Sequence, residues 1–202
     1  MTWYSVALLV HILGVLGVFI ATGIEQVVLL RLRAARTTQL VREWVCVMDG
    51  VDRLFPPSVL LILLAGLYMT FTVWGWGQAW IDVALSTLVL TGILGKAVNG
   101  SGLKAIGQAV AVLPDGPLSA DLRRLIYDPV LSMSTSITAF LTLGIVFLMT
   151  LKPGWLGSLG IIAGALVVAV GVALVSPHAG HEPRIGEQVE LVETVREETG
   201  IK

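Results

Sequence analysis

The sequence predicts an all-α fold, a polytopic membrane helical bundle with five transmembrane helices. Only 13% of its 202 residues are charged and 55% are hydrophobic, whereas a soluble domain carries about 25% charged residues. The mean hydropathy is +0.87. Five separate apolar stretches approach the roughly 20 residues that a helix needs to cross the hydrocarbon core. Because lipid offers no hydrogen-bond partners to the backbone, each stretch is expected to be helical.

These stretches, which we call spans 1 to 5, set the order of the predicted helices. They cover about residues 3–30, 58–74, 80–97, 129–152 and 155–175. Pro56 and Pro57 precede span 2, so we expect that helix to begin after them. Span 3 has the shortest apolar core, which ends at Lys96, and we expect its helix to continue beyond the lipid. Asp128 is the predicted N-cap of span 4, with Pro129 as the first helical residue.

The basic residues are concentrated in the loops after spans 1 and 3. Those two loops contain Arg31, Arg33, Arg36, Arg42, Arg53, Lys96, Lys104, Arg123 and Arg124. The other two loops contain Lys152 as their single basic residue, and Trp3, Trp74, Trp76, Trp80 and Trp155 fall on the same side. Because Lys and Arg accumulate in cytoplasmic loops and Trp at the membrane interface, the pattern predicts an outside N-terminus and an inside C-terminus. Residues 1–176 then form the transmembrane bundle, and residues 177–202 form a cytoplasmic polar tail.

The segments between the spans also show helical patterns. Residues 34–54 have helical spacing, and residues 101–113 predict an amphipathic helix. A Pro-Asp-Gly-Pro turn follows, and Ser119 then fits the N-cap of a short basic helix. The tail contains the motif HAGH, in which His178 and His181 make a weak metal-binding pattern. The tail and span 5 are the candidate docking surfaces for a protein partner.

A stripe of polar and small residues runs along span 1. A helical residue advances by about 100°, so one face of this span carries His11, Gly14, Val18, Thr22 and Glu25. Ionisable residues in a membrane helix are expensive unless they face the bundle interior or water, which predicts that the stripe points inward, with Gly14 allowing a neighbour to approach closely. The functional interpretation is a haem or metal ligand at His11, or a proton path from His11 to Glu25. The structural interpretation places His11 near the outer headgroups and pairs Glu25 with Arg31 or another arginine.

Spans 3, 4 and 5 differ in the polar residues that they carry. Asp82 lies at a similar depth to His11, so it is either a helix cap or the side chain that accepts a hydrogen bond from His11. Hydroxyl residues on span 4 are expected to serve packing and capping. Span 5 has no ionisable residue, and its glycines give faces suited to tight packing. We therefore expect it to lie at the periphery of a four-helix core formed by spans 1 to 4.

Composition and motifs exclude several classes of protein. The single cysteine, Cys46, excludes an intrachain disulfide and any multi-cysteine metal site. The sequence does not predict a strongly basic surface, so nucleic acid is not expected as a partner. The sequence contains no P-loop, no dinucleotide fingerprint and no recognisable set of nucleophile, base and oxyanion donors, which argues against an enzyme.

Several short motifs resemble a known family. An early histidine in span 1, the stretch VMDGVDRLFPP before span 2, a Trp-bounded hairpin and LMTLKP at the end of span 4 resemble a widespread bacterial family of uncharacterised integral membrane proteins. More distantly, the four-helix core resembles the membrane-bound, oxygen-independent protoporphyrinogen oxidases and the copper-resistance D-type proteins. That resemblance implies a bacterial inner-membrane location and haem b at His11. The oxidases also use a lysine early in the third helix, where this chain has Ala84 in WIDVALST, so their activity is not implied.

Three hypotheses follow. The first is a haem- or porphyrin-associated bundle that uses His11, with Asp82 as its possible hydrogen-bond partner. The second is a permease for a small solute or ion, with His11, Thr22 and Glu25 lining its path. The third is a membrane subunit or scaffold of a larger complex, with span 5 and the tail as docking surfaces.

Overall fold

The computed structural model describes residues 2–175, and all of the regular secondary structure in that part of the chain is helical. The α-helices are α1 (Trp3–Ala34), α2 (Thr38–Met69), α3 (Ala79–Leu94), α4 (Ser101–Ala111), α5 (Ala120–Ile126), α6 (Pro129–Leu151) and α7 (Trp155–Val175). Two π-helical segments interrupt this pattern. Thr70–Trp74 extends α2, and Gly95–Gly100 joins α3 to α4. The predicted tail pattern, with His178 and His181, lies outside the described residues.

Five helical stretches are long and apolar enough to cross a membrane, which confirms the predicted all-helical class and the number of apolar helices. They are Trp3–Ala34, Thr38–Trp74, Ala79–Ala111, Ala120–Leu151 and Trp155–Val175. The predicted continuation of span 3 is also confirmed, because α3, its π-helical segment and α4 form one stretch of 33 residues. The first turn of α6 agrees with the sequence as well, since the Asp128 carboxylate accepts a hydrogen bond from the Val130 amide.

The prediction that span 2 begins after the two prolines is wrong. Pro56 and Pro57 lie inside α2, which starts at Thr38. Each proline removes one helical hydrogen bond, leaving the carbonyls of Asp52 and Arg53 without their usual donors. Both residues are exposed, so solvent can bind those carbonyls and the helix continues. The predicted cytoplasmic helix of residues 34–54 and span 2 are therefore one element.

Helices α1 and α2 form a closely packed antiparallel pair. A Cβ atom at Gly14 would lie 2.8 Å from the Ser58 carbonyl oxygen and 2.9 Å from Ile62 Cγ1, and one at Gly17 would collide with Ser58 Oγ. Small residues at such positions let two helix backbones approach closely. The close approach predicted at Gly14 is thus confirmed, and α2 is the helix that approaches.

One end of the bundle, which we call the basic end, is formed by α4, α5 and the first half of α2. Its core is solid and includes the fully buried side chains Leu32, Val41, Ile106, Leu122 and Ile126. Polar contacts tie the connections to this core. Thr38 Oγ1 donates to the Pro114 carbonyl at 2.9 Å, and Arg42 reaches both Asp115 at 2.8 Å and the Leu113 carbonyl at 3.0 Å.

The last helix, α7, packs on α6 and α3. Gly144 of α6 faces it closely, since a Cβ there would lie 3.3 Å from Ala165 and Ile162 side-chain atoms. Only 17% of its most apolar stretch is buried, the smallest share among the five. Helix α7 therefore lies on the outside of the described bundle.

Candidate functional site

The end of the bundle opposite the basic end has a half-open cavity of about 450 Å³ between α1, α2, α3 and α6. We call this the tryptophan end, because Trp74, Trp76 and Trp80 line the cavity there. The volume lies within the range of about 300–1,000 Å³ that is typical of small-molecule and cofactor sites. Most of the wall is aliphatic or aromatic, and the polar side chains at its surface include Tyr4, His11, Thr70, Thr142, Thr150 and Lys152.

His11 is the distinctive group in this wall. It is buried, with 9% of its surface exposed, and its Nδ1 lies 3.1 Å from the Ile62 carbonyl oxygen. A carbonyl oxygen only accepts, so Nδ1 carries the hydrogen and donates it. In a neutral imidazole Nε2 then keeps its lone pair. This is the arrangement found in metal-ligating histidines, whose second ring nitrogen donates to a carboxylate, a backbone carbonyl or water.

The imidazole is next to a glycine of α2. The ring lies against Gly66, where a Cβ would be 3.4 Å from ring atoms Cε1 and Nδ1. Gly66 is one helical turn after Ile62, so the residue that the ring contacts and the residue whose carbonyl binds Nδ1 lie on the same face of α2. The sequence gives no signal for the role of Ile62, because the group that binds His11 is its backbone carbonyl. Gly66, one turn away, is the nearby residue that could have pointed to this contact.

The threonines of the cavity are already engaged. Thr70 Oγ1 donates to the Gly66 carbonyl at 2.9 Å, and Thr142 Oγ1 donates to the Thr138 carbonyl at 2.8 Å. Their hydrogens are used within their own helices, as is common for hydroxyls in apolar helices. Met69 and Met149 also line the cavity and bring soft thioether sulfurs to it. Sequence reasoning missed both methionines, because a methionine among apolar residues has no distinguishing pattern.

A lysine lies at the mouth of the cavity. Lys152 ends α6 in the left-handed conformation, with φ of 49°, and its Nζ lies 4.1 Å from the ring centroid of Trp74 and 5.7 Å from that of Trp80. The two indoles meet edge to face at 5.4 Å. A cation over aromatic faces is held by their quadrupoles, so the ammonium is fixed near the rim. The sequence indicated Lys152 only as a loop charge.

Asp82 was predicted to be a helix cap or the hydrogen-bond partner of His11, and in the structure it is neither. It lies half-buried in the first turn of α3, and its backbone carbonyl accepts a hydrogen bond from Ser86 Oγ. The acceptor for His11 is the Ile62 carbonyl instead. The physical reason is that α1 packs along α2, so the neighbour at the depth of His11 is α2 and not α3.

The rest of the stripe on α1 also points inward, and of its members Val18 lines the cavity whereas Gly14, Thr22 and Glu25 do not. His11, Gly14, Val18 and Thr22 are buried and Glu25 is half-buried. Thr22 Oγ1 donates to the Val18 carbonyl of its own helix at 2.8 Å. Glu25 lies 14 residues from His11, about 21 Å along the helix. One continuous polar path through His11, Thr22 and Glu25, as the permease hypothesis requires, therefore has no support from these contacts.

The predicted pairing of Glu25 with an arginine is not found among residues 2–175. Arg42 forms a salt bridge with Asp115, while Arg31 lies over the Trp44 ring at 5.7 Å. The Glu25 carboxyl interacts instead with the Asn99 amide and, at longer range, with Asp52.

The residues of the cavity fit a haem better than a bare metal ion. No group of three or more His, Cys, Asp or Glu side chains that could hold a metal is present in the described part of the chain. Haem iron needs only one or two protein ligands, because the porphyrin supplies four. His11 offers a free Nε2, the walls are apolar, and the Lys152 ammonium can bind a carboxylate at the rim.

No protein-family model, no curated protein and no solved structure matches this chain.

Proposed function

We propose that this chain is a multi-pass protein of the bacterial inner membrane that holds haem b in the cavity at the tryptophan end. The observation that carries the proposal is the state of His11. Its Nδ1 is engaged by the Ile62 carbonyl, so Nε2 is the nitrogen left to bind iron, in a pocket of about 450 Å³.

Each part of the cavity has a role in this proposal. His11 would hold the iron, and Met69 or Met149 would be the candidate for a second iron ligand. The apolar wall excludes water, and Lys152 binds a propionate. When bound, haem would supply one-electron redox chemistry, with a potential set by its protein ligands and the surrounding polarity.

The orientation that we propose puts the tryptophan end outside. The basic end groups most of the arginines around α4 and α5, whereas the tryptophan end has Lys152 and the indoles, and this asymmetry is typical of cytoplasmic and outer faces. Cysteines introduced at Gln78 and Val112, both exposed, in a Cys46→Ser background test the orientation. We expect an impermeant thiol reagent to label the Gln78→Cys variant in intact cells and the Val112→Cys variant only after lysis. The reverse pattern would overturn the orientation.

The haem proposal is tested by an absorption spectrum of protein purified in detergent from haem-replete cells. We expect a Soret band in the wild type and its loss in His11→Gly, with recovery when imidazole is added to fill the space left by the side chain. Thr22→Ala is the matched control, since Thr22 lies on the same face of α1 outside the cavity and should keep the band. A wild type without the band, or His11→Gly with an unchanged spectrum, would contradict the proposal.

A further inference from the structure

We infer that Glu25 and Asn99 form a binding site for a monovalent metal cation such as Na⁺, deep in the bundle on the side of the basic end. The site is separate from the cavity at the tryptophan end. The inference does not rest on haem binding.

Asn99 is the first observation. It is 3% exposed, and neither its amide oxygen nor its amide nitrogen has a hydrogen-bond partner of good geometry within residues 2–175. Nearly all buried polar atoms in proteins are hydrogen-bonded, so a side chain whose amide oxygen and nitrogen both lack a partner needs an explanation. The binding of an ion is one such explanation. An amide oxygen is a normal ligand for hard cations.

Glu25 is the second observation. Its half-buried carboxyl interacts with the Asn99 amide, without completing a hydrogen bond of good geometry, and with the negative charge of Asp52. No arginine or lysine of the described residues forms an ion pair with it. The two carboxyl groups carry charge of the same sign and repel each other when both are ionised. A bound cation would compensate both charges and also satisfy the Asn99 oxygen.

The local backbone explains how Asn99 comes to face the interior. It lies in the π-helical segment Gly95–Gly100, where α3 passes into α4. Such segments occur frequently at functional sites. The segment packs against α6, where Ser134 has a buried hydroxyl that also lacks a partner. Ser134 is at the level of Glu25, since Gln26 donates to the carbonyl of the next residue, Thr135.

The oxygen set favours a monovalent over a divalent cation. Ca²⁺ takes six to eight oxygen ligands, commonly with several carboxylates, and no cluster of three acidic or histidine side chains is found in the described part. A carboxylate, an amide oxygen and a hydroxyl suit an ion with one charge. Asp52 is exposed, so a cation can arrive from the basic end.

The test is the thermal unfolding midpoint of the purified protein in detergent at fixed pH and ionic strength, with choline replaced stepwise by Na⁺. Because an ion that binds only the folded state stabilises it in proportion to the logarithm of its concentration at saturation, we expect the wild-type midpoint to rise steadily with Na⁺. The dependence should vanish in Glu25→Gln and Asn99→Leu. It should persist or strengthen in Asn99→Asp, which keeps an oxygen ligand.

Gln26→Leu is the matched control. Gln26 follows Glu25 and has a part-buried amide, but its amide nitrogen is satisfied by Thr135. We expect this variant to unfold at a lower temperature while keeping the full response to Na⁺. Equal wild-type midpoints in choline and Na⁺ would overturn the inference, as would a response to pH alone, which would make a proton the occupant. An unchanged Na⁺ response in Glu25→Gln would also overturn it.

Discussion

The two ends of the bundle are built in different ways. At the basic end, short helices fold back and fill the space with side chains such as Leu32, Ile106 and Ile126, each essentially inaccessible to solvent. At the tryptophan end the same long helices leave about 450 Å³ unfilled. Protein interiors normally pack to the density of organic crystals, so an unfilled volume of this size beside a well-packed core is the feature on which the haem proposal rests. The two ends therefore differ in packing: the basic end has a filled core and the tryptophan end has an unfilled cavity.

The largest expected effect is on the solid core. We expect Ile106→Ala to lower the free energy of unfolding by about 2–5 kcal/mol, because a fully buried side chain is replaced by a cavity. Leu88→Ala, in the wall of the existing cavity, should cost about 1 kcal/mol or less, since that leucine has fewer packing partners to lose. Denaturant titrations in detergent measure both values. Equal losses would mean that the two ends do not differ in packing.

The next effect concerns the contact that joins both ends, the close pairing of α1 and α2. Gly14→Ala should cost about 1–3 kcal/mol, because the new Cβ overlaps the α2 backbone at Ser58 and must push it away. Gly23→Ala is the control on the same helix. Nothing lies within 4 Å of a Cβ there, and alanine favours the helix by up to about 1 kcal/mol. If Gly14→Ala is as stable as Gly23→Ala in the same titration, the close pairing is contradicted.

The smallest effect sharpens the role of the cavity mouth. An exposed ion pair contributes about 0.2–1 kcal/mol, so Lys152→Met, which removes the proposed contact with a propionate, should weaken hemin binding by up to about fivefold. Hemin dimethyl ester, which lacks free carboxylates, should bind the wild type and the variant equally. Fluorescence quenching of the tryptophans measures both affinities. An equal loss for the ester would show that Lys152 does not act on a carboxylate.

The features readable from the sequence were those that depend on composition and periodicity. Five apolar helices, the inward stripe on α1 and the close approach at Gly14 all follow from residue type and the helical repeat. The continuous helix through Pro56 and Pro57 could not be predicted from the sequence. Whether the helix continues depends on the solvent exposure of the carbonyls that the prolines leave without donors, and exposure is set by the tertiary structure.

The contacts that make the candidate sites were harder to predict. The Ile62 carbonyl leaves no trace in the side-chain pattern, so Asp82 was the natural choice of partner for His11. Asn99 follows the charged end of span 3, and only the π-helical turn brings it inside. Lys152 reaches the cavity because α6 ends in a left-handed residue there. In each case the deciding quantity is a local backbone geometry that residue identity does not specify.

The central claim, that the tryptophan end is a haem site built on His11, is tested most directly by titrating purified, haem-free protein with hemin and recording its absorbance. We expect the Soret absorbance of the wild type to saturate at one haem per chain, and to shift on reduction as a protein-ligated haem does. Under the same conditions His11→Gly should show no saturable shift until imidazole is added. Wild-type and His11→Gly titrations that coincide without imidazole would contradict the claim.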